Sequence, residues 1–108
     1  MDHLLTVRLE AHYPERNHHR FYELALGLDL FGLWTLTVHH GRTGRPGHQR
    51  SFSSSDLQTL QTQIRRCLIV RESAPRRLGC RYQLVNLSQD DDLLIEDWLP
   101  EAWLQPFR

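Results

Sequence analysis

Three short stretches in which apolar residues recur at every second position, each separated from the next by glycine, proline or asparagine, constrain this chain more than any other feature. Leu5, Val7, Leu9 and Ala11 interleave with Thr6, Arg8 and Glu10, the period of a strand with one buried face. Tyr22, Leu24, Leu26 and Leu28 repeat the pattern over residues 20–28, and Trp34, Leu36 and Val38 repeat it over residues 33–39, with Thr35 and Thr37 on the exposed side of the pleat. The connection 13–19 holds Pro14 and Asn17, and 29–32 is a turn ending in Gly32. A fourth strand over residues 48–52 runs antiparallel to the third.

The period then changes. Leu57, Leu60, Ile64, Cys67 and Leu68 recur at helical spacing, and Ser55 with Gln58 three places on has the form of a capping box. The spacing predicts a helix from about Asp56 to Arg71 or Glu72. After Pro75 and Gly79, the residues Cys80, Tyr82 and Leu84 alternate as a last strand. The expected fold is α+β: an antiparallel sheet of four to five strands with one main helix packed on it. Residues 1–85 read as the domain. Residues 86–108 read as an acidic, tryptophan-containing C-terminal extension, with a short helix around Asp92 to Trp98 and Pro100 dividing residues 93–99 from 101–107. Trp98 and Trp103 have three possible fates, core packing, dimerisation or cover for a basic face, and core packing is the commonest for such side chains.

A chain of 108 residues supports one core. No run of roughly 18 apolar residues is present to cross a membrane, and Met1-Asp2-His3 does not begin a signal peptide, so a soluble, cytoplasmic protein is expected. Cys67 and Cys80 have no metal-ligand spacing and read as free thiols. The formal net charge of zero conceals a division. Residues 16–81 carry eleven arginines against Glu23, Asp29, Asp56 and Glu72, a net +7, whereas residues 82–108 are −5. Every basic residue is arginine, which suits bidentate phosphate contacts and is equally the mark of a GC-rich genome.

The turn Gly41-Arg42-Thr43-Gly44-Arg45-Pro46-Gly47 is the sharpest candidate site, because backbone N–H groups and guanidinium forks in one loop match phosphate oxygens. It leads into a strand and has no lysine, which excludes a nucleotide P-loop. The candidate nucleic-acid-binding residues are His40, Gly41, Arg42, Arg45 and Arg50. Alternation places His40 on the face of Trp34, Leu36 and Val38, where it either ends the core or meets a ligand, and Arg42 either binds a ligand or pins the turn. A second basic cluster comprises Arg65, Arg66, Arg71, Arg76, Arg77 and Arg81. Among the seven histidines, His18-His19 and His39-His40 are adjacent pairs, and neighbours on a strand point to opposite faces. No metal, cofactor or catalytic residue is expected: Ser53-Ser54-Ser55 is explained by capping, and no nucleophile stands beside a base.

The succession Arg20-Phe21-Tyr22, Asp29-Leu30-Phe31-Gly32, Gly41-Arg42-Thr43-Gly44, a helix from Asp56, then Arg76-Arg77-Leu78-Gly79-Cys80-Arg81-Tyr82 resembles the bacterial, stand-alone form of the WGR domain over about residues 4–85. The resemblance implies a non-enzymatic nucleic-acid-binding module, related to the domain with which poly(ADP-ribose) polymerases grip DNA ends. In those proteins the motif Trp stacks on a terminal sugar and the Arg bridges nucleic acid and neighbouring domains. Carried over, His40 stands at the Trp position and Arg42 at the Arg position, and Thr43 replaces the usual Val or Ile. Histidine stacks over a smaller area than indole and donates to phosphate when protonated. The alternative is a protein-interaction or homodimerisation module, which the balanced net charge favours.

Overall fold

The computed structural model describes residues 3–73 and 79–104. Five strands form one antiparallel sheet in the order β4-β3-β2-β1-β5: β1 (His3–Tyr13), β2 (His18–Leu28), β3 (Trp34–Arg42), β4 (His48–Ser54) and β5 (Gln83–Gln89). Helix α1 (Leu57–Arg71) crosses one face, and two single-turn helices, α2 (Ile95–Trp98) and α3 (Glu101–Leu104), follow β5. The expected α+β arrangement is the one observed.

Alternation decides the layers. Leu5, Val7, Leu9 and Ala11 of β1, Tyr22, Leu24 and Leu26 of β2, and Leu36 and Val38 of β3 all point inward, where they meet Leu60, Ile64 and Leu68 of α1. Leu28, expected on that face, lies at the strand end and is exposed. The β1–β2 connection is a 3-10 turn (Pro14–Arg16) closed by Asn17 in the left-handed region, and in the β2–β3 turn the Asp29 carboxylate accepts from the N–H groups of Phe31 and Leu33.

Two local expectations are corrected. The helix cap is Asp56, not Ser55: its carboxylate accepts from the Gln58 N–H at 3.1 Å and the Thr59 hydroxyl at 3.0 Å, a charged acceptor placed one residue nearer the free N–H groups. The last strand begins at Gln83 rather than Cys80 and continues to Gln89. Its register slips against β1, with Leu84 opposite Leu9 but Asn86 opposite Arg8 and Leu87 opposite Val7. Val85 is the extra residue, so the inward side chains are three apart and the period of two is lost.

A division at residue 85 falls inside β5. Beyond it, Trp98, Leu99, Trp103 and Leu104 are buried in the same core as the sheet, and the Trp103 indole Nε1–H donates to the Leu68 carbonyl at 3.0 Å. Gln61 donates to the Asp97 carbonyl, and Arg65 donates to the carbonyls of Glu96 and Leu99 at 3.3 and 3.2 Å. Arg65, assigned from the sequence to a basic cluster, thus anchors the C-terminal segment to α1.

Candidate functional site

The end of β3, the beginning of β4 and the end of α1 meet at one end of the sheet. Pairing across the strands sets Tyr22 opposite His40 and His40 opposite His48, so three rings from β2, β3 and β4 lie in a row on the helix-facing side. The Tyr22 and His40 rings stack with centroids 5.9 Å apart and planes 28° apart, and His40 and His48 are also 5.9 Å apart, tilted by 44°. Helix α1 ends over this row, with the Arg71 guanidinium 4.1 Å from the Tyr22 ring centre. Arg50 extends the same face toward Phe52, 5.8 Å from its ring. One step nearer the strand ends, Arg20 pairs with Arg42.

The electrostatics follow from that crowding. Burial pushes the His40 imidazole below its ordinary pKa, and the positive charge of Arg71, His48, Arg50 and His39 pushes it the same way. Tyr22 is pushed up to about 12, first by burial and next by its hydrogen bond with Cys67. The Nε of Arg71 and the hydroxyl of Thr43 are buried without a hydrogen-bond partner among the described residues. The ion pairs among the described residues join Arg8 to Glu10 and Glu23 and His12 to Glu10, all on the outer face of the sheet, so no carboxylate there neutralises Arg20, Arg42, Arg45, Arg50 or Arg71.

Arg42 and the glycines have structural duties. Arg42 donates to the Asn17 carbonyl at 2.9 Å and to its side-chain oxygen at 3.0 Å, which ties the end of β3 to the β1–β2 turn and leaves three of five N–H groups for other acceptors. The turn beyond it folds back over the outer face, where the His39 Nε2–H donates to the Pro46 carbonyl. A Cβ on Gly41 would lie 2.7 Å from the Gly47 Cα, and one on Gly47 would lie 2.4 Å from the His40 carbonyl oxygen. Phe21 fills the space beneath, with the Arg8 guanidinium 4.8 Å above its ring and the His39 ring centre 4.9 Å from its own in a T-shaped arrangement, and is buried although it points away from the core.

The structure therefore brings His40, Arg42 and Arg50 to one end of the sheet, with Gly41 packed against Gly47 and Arg45 exposed in the turn, where its N–H bonds the Arg42 carbonyl. It adds Tyr22 and Arg71, which the sequence does not join to the turn, and sets His48, the residue that follows the turn, beside His40. The only available signal was alternation itself, which places Tyr22 and His40 on the helix side; the meeting of Arg71 with them depends on where α1 ends. Arg76 and Arg77 lie outside the described residues. No described helix is long and apolar enough to cross a membrane.

A family model for the WGR domain matches residues 5–68, which takes in β1 to β4, the glycine-rich turn and most of α1. No curated protein and no solved structure matches the chain.

Proposed function

Because the chain belongs to the WGR domain family, whose domains are generally nucleic-acid-binding modules and not catalytic ones, we propose that it is a non-enzymatic, cytoplasmic module that binds DNA through the phosphate backbone. Arg42 and Arg45 are the principal phosphate ligands, His40 is a stacking or hydrogen-bonding neighbour, Gly41 lets the backbone approach, and Arg50 lies at the margin. Arg71 joins them from the helix. What carries this reading is the convergence of guanidinium groups that no described carboxylate pairs with around a row of three rings, with Arg42 pre-oriented by Asn17. Guanidinium forks suit phosphate oxygens, and flat rings suit sugar or base faces without demanding a sequence.

Fluorescence anisotropy of a short 5′-phosphorylated duplex, titrated at low and at physiological salt, tests it. Binding should weaken with salt with a logarithmic slope of about −0.9 per neutralised phosphate. Arg42→Ala and Arg71→Ala should each flatten that slope by about one unit. Absence of salt-dependent binding, or indifference to both substitutions, overturns the reading.

One observation favours the second reading, a protein-interaction or homodimerisation module. Leu30 and Phe31, at the tip of a β2–β3 turn held by Asp29, are 98% and 89% exposed. Sedimentation of wild type and Phe31→Ser discriminates: a dimer abolished by the substitution, without any DNA binding, supports this second reading.

A further inference from the structure

We propose that His12 and His19 form a chelating pair for a divalent transition-metal cation, with Zn²⁺ as its representative, on the outer face of the sheet. The two residues are register partners on β1 and β2, so their side chains leave the same face side by side. Their rings are 5.1 Å apart between centroids and tilted by 49°, and the Nδ1 atoms face each other at 2.8 Å. With Zn–N bonds of about 2.0–2.1 Å in a tetrahedral arrangement, two ligating nitrogens stand about 3.3 Å apart. The pair thus needs to open by only about half an ångström, which small side-chain rotations on an open face supply.

The far side of His12 is already arranged as a ligand's would be. Its Nε2 lies 2.9 Å from the Oε1 of Glu10, whose other oxygen accepts from the Arg8 Nε at 2.9 Å. A carboxylate held by Arg8 only accepts, so His12 carries its hydrogen on Nε2 and turns the Nδ1 lone pair into the gap. Metal-ligating histidines are oriented in this way, with the outward N–H given to a carboxylate that fixes the tautomer and raises the basicity of the other nitrogen. The hydrogen between the two rings then belongs to His19. On binding, it transfers through water to the Nε2 of His19, and both Nδ1 lone pairs go to the cation. No proton is released and no covalent bond within the chain changes otherwise.

Among the described residues no group of three or more His, Cys, Asp or Glu is placed to hold a metal, so the remaining coordination positions are open to water or to an external donor. Imidazole nitrogen selects Zn²⁺, Cu²⁺ or Ni²⁺ over Mg²⁺ or Ca²⁺. The objection from sequence, that adjacent histidines on a strand diverge, holds for His18 and His19 but not for partners on neighbouring strands.

Zinc chloride titrated into the full chain at neutral pH, without nucleic acid, tests the pair through the histidine ring resonances in heteronuclear NMR and through a thermal melt. The expected result is saturation near one equivalent, with the His12 and His19 signals moving together, and a rise in Tm because the cation clips β1 to β2 only in the folded chain. His12→Ala and His19→Ala should each abolish both effects, and His3→Ala neither. Shifts centred on other histidines, unchanged binding in the His12→Ala, His19→Ala double variant, or no saturation would overturn the proposal. None of these outcomes depends on whether DNA is bound.

Discussion

At Gly47 a single methyl group would meet the most resistance. Its φ of +72° lies in the left-handed region, and an added Cβ would stand 2.4 Å from the His40 carbonyl oxygen and 3.0 Å from the Phe21 ring, contacts that only a shift of backbone relieves. Gly44 has a comparable φ of +86° but open space around it. Gly44→Ala should therefore cost only the conformational term, about 1–2 kcal/mol, whereas Gly47→Ala adds the clash and should exceed it by about 1–3 kcal/mol in chemical denaturation. Equal losses at the two positions would show that the turn moves freely from Phe21. At His40 the direction of the shift sets the sign of a second prediction. Burial and neighbouring cations hold the folded-state pKa below the ordinary 6.5, so the folded chain takes up its proton later than the unfolded chain does. The His40 contribution to stability consequently worsens as pH falls from about 6.5 through the folded value, and it is flat at higher pH. NMR titration of the His40 ring should give a midpoint below 6.5, and a bound phosphate should raise that midpoint.

Among the elements, α1 and the segment after β5 depend on each other. Trp103 buries its ring against α1 and gives its N–H to Leu68, so Trp103→Ala should cost about 3–5 kcal/mol, while Asp56→Ala at the helix start should cost about 1 kcal/mol; urea denaturation followed by circular dichroism separates the two. Truncation after Val85 also removes half of β5, and an insoluble product is the expected result. These elements differ in how far the sequence announced them. Strands β1 to β3 and α1 keep one period over the residues that meet the core, since each buries one face against one layer there, and their positions follow from Leu5, Leu24, Leu36 and Ile64. Strand β5 departs from the position its alternation indicates because the extra residue Val85 breaks the period, and a bulge is set by its partner strand rather than by local preference. The cap lies one residue later than Ser55 for a related reason: Ser55 and Asp56 are both competent caps, and geometry chooses. In the candidate site the glycine turn was legible because few residues tolerate its conformation. The contribution of Arg71 was not, because it depends on the direction in which a fifteen-residue helix returns across the sheet.

On the scale of the molecule, the division into a basic body and an acidic end raises the question whether the acidic residues compete with DNA for the arginines. Their placement argues against it. The Asp90 N–H bonds the Leu4 carbonyl at 2.8 Å, which puts Asp90 beside the start of β1. The row of His40 crosses β1 at Leu9, through the pairs His40 with Tyr22 and Tyr22 with Leu9. Five residues of strand span about 17 Å, and two strand spacings between β1 and β3 add about 10 Å at right angles, for a separation of about 20 Å. At physiological ionic strength the screening length is about 8 Å, so charges that far apart through solvent act on each other weakly. Replacing Asp90, Asp91 and Asp92 together by asparagine should accordingly change affinity for a short duplex by less than about twofold at physiological salt, with a larger gain appearing only as salt is lowered. The same anisotropy titration that measures Arg42→Ala decides this. A gain of about tenfold at physiological salt would mean that the acidic stretch reaches the arginines; a change within twofold leaves the C-terminal segment with the core packing that Trp98, Leu99, Trp103 and Leu104 give it.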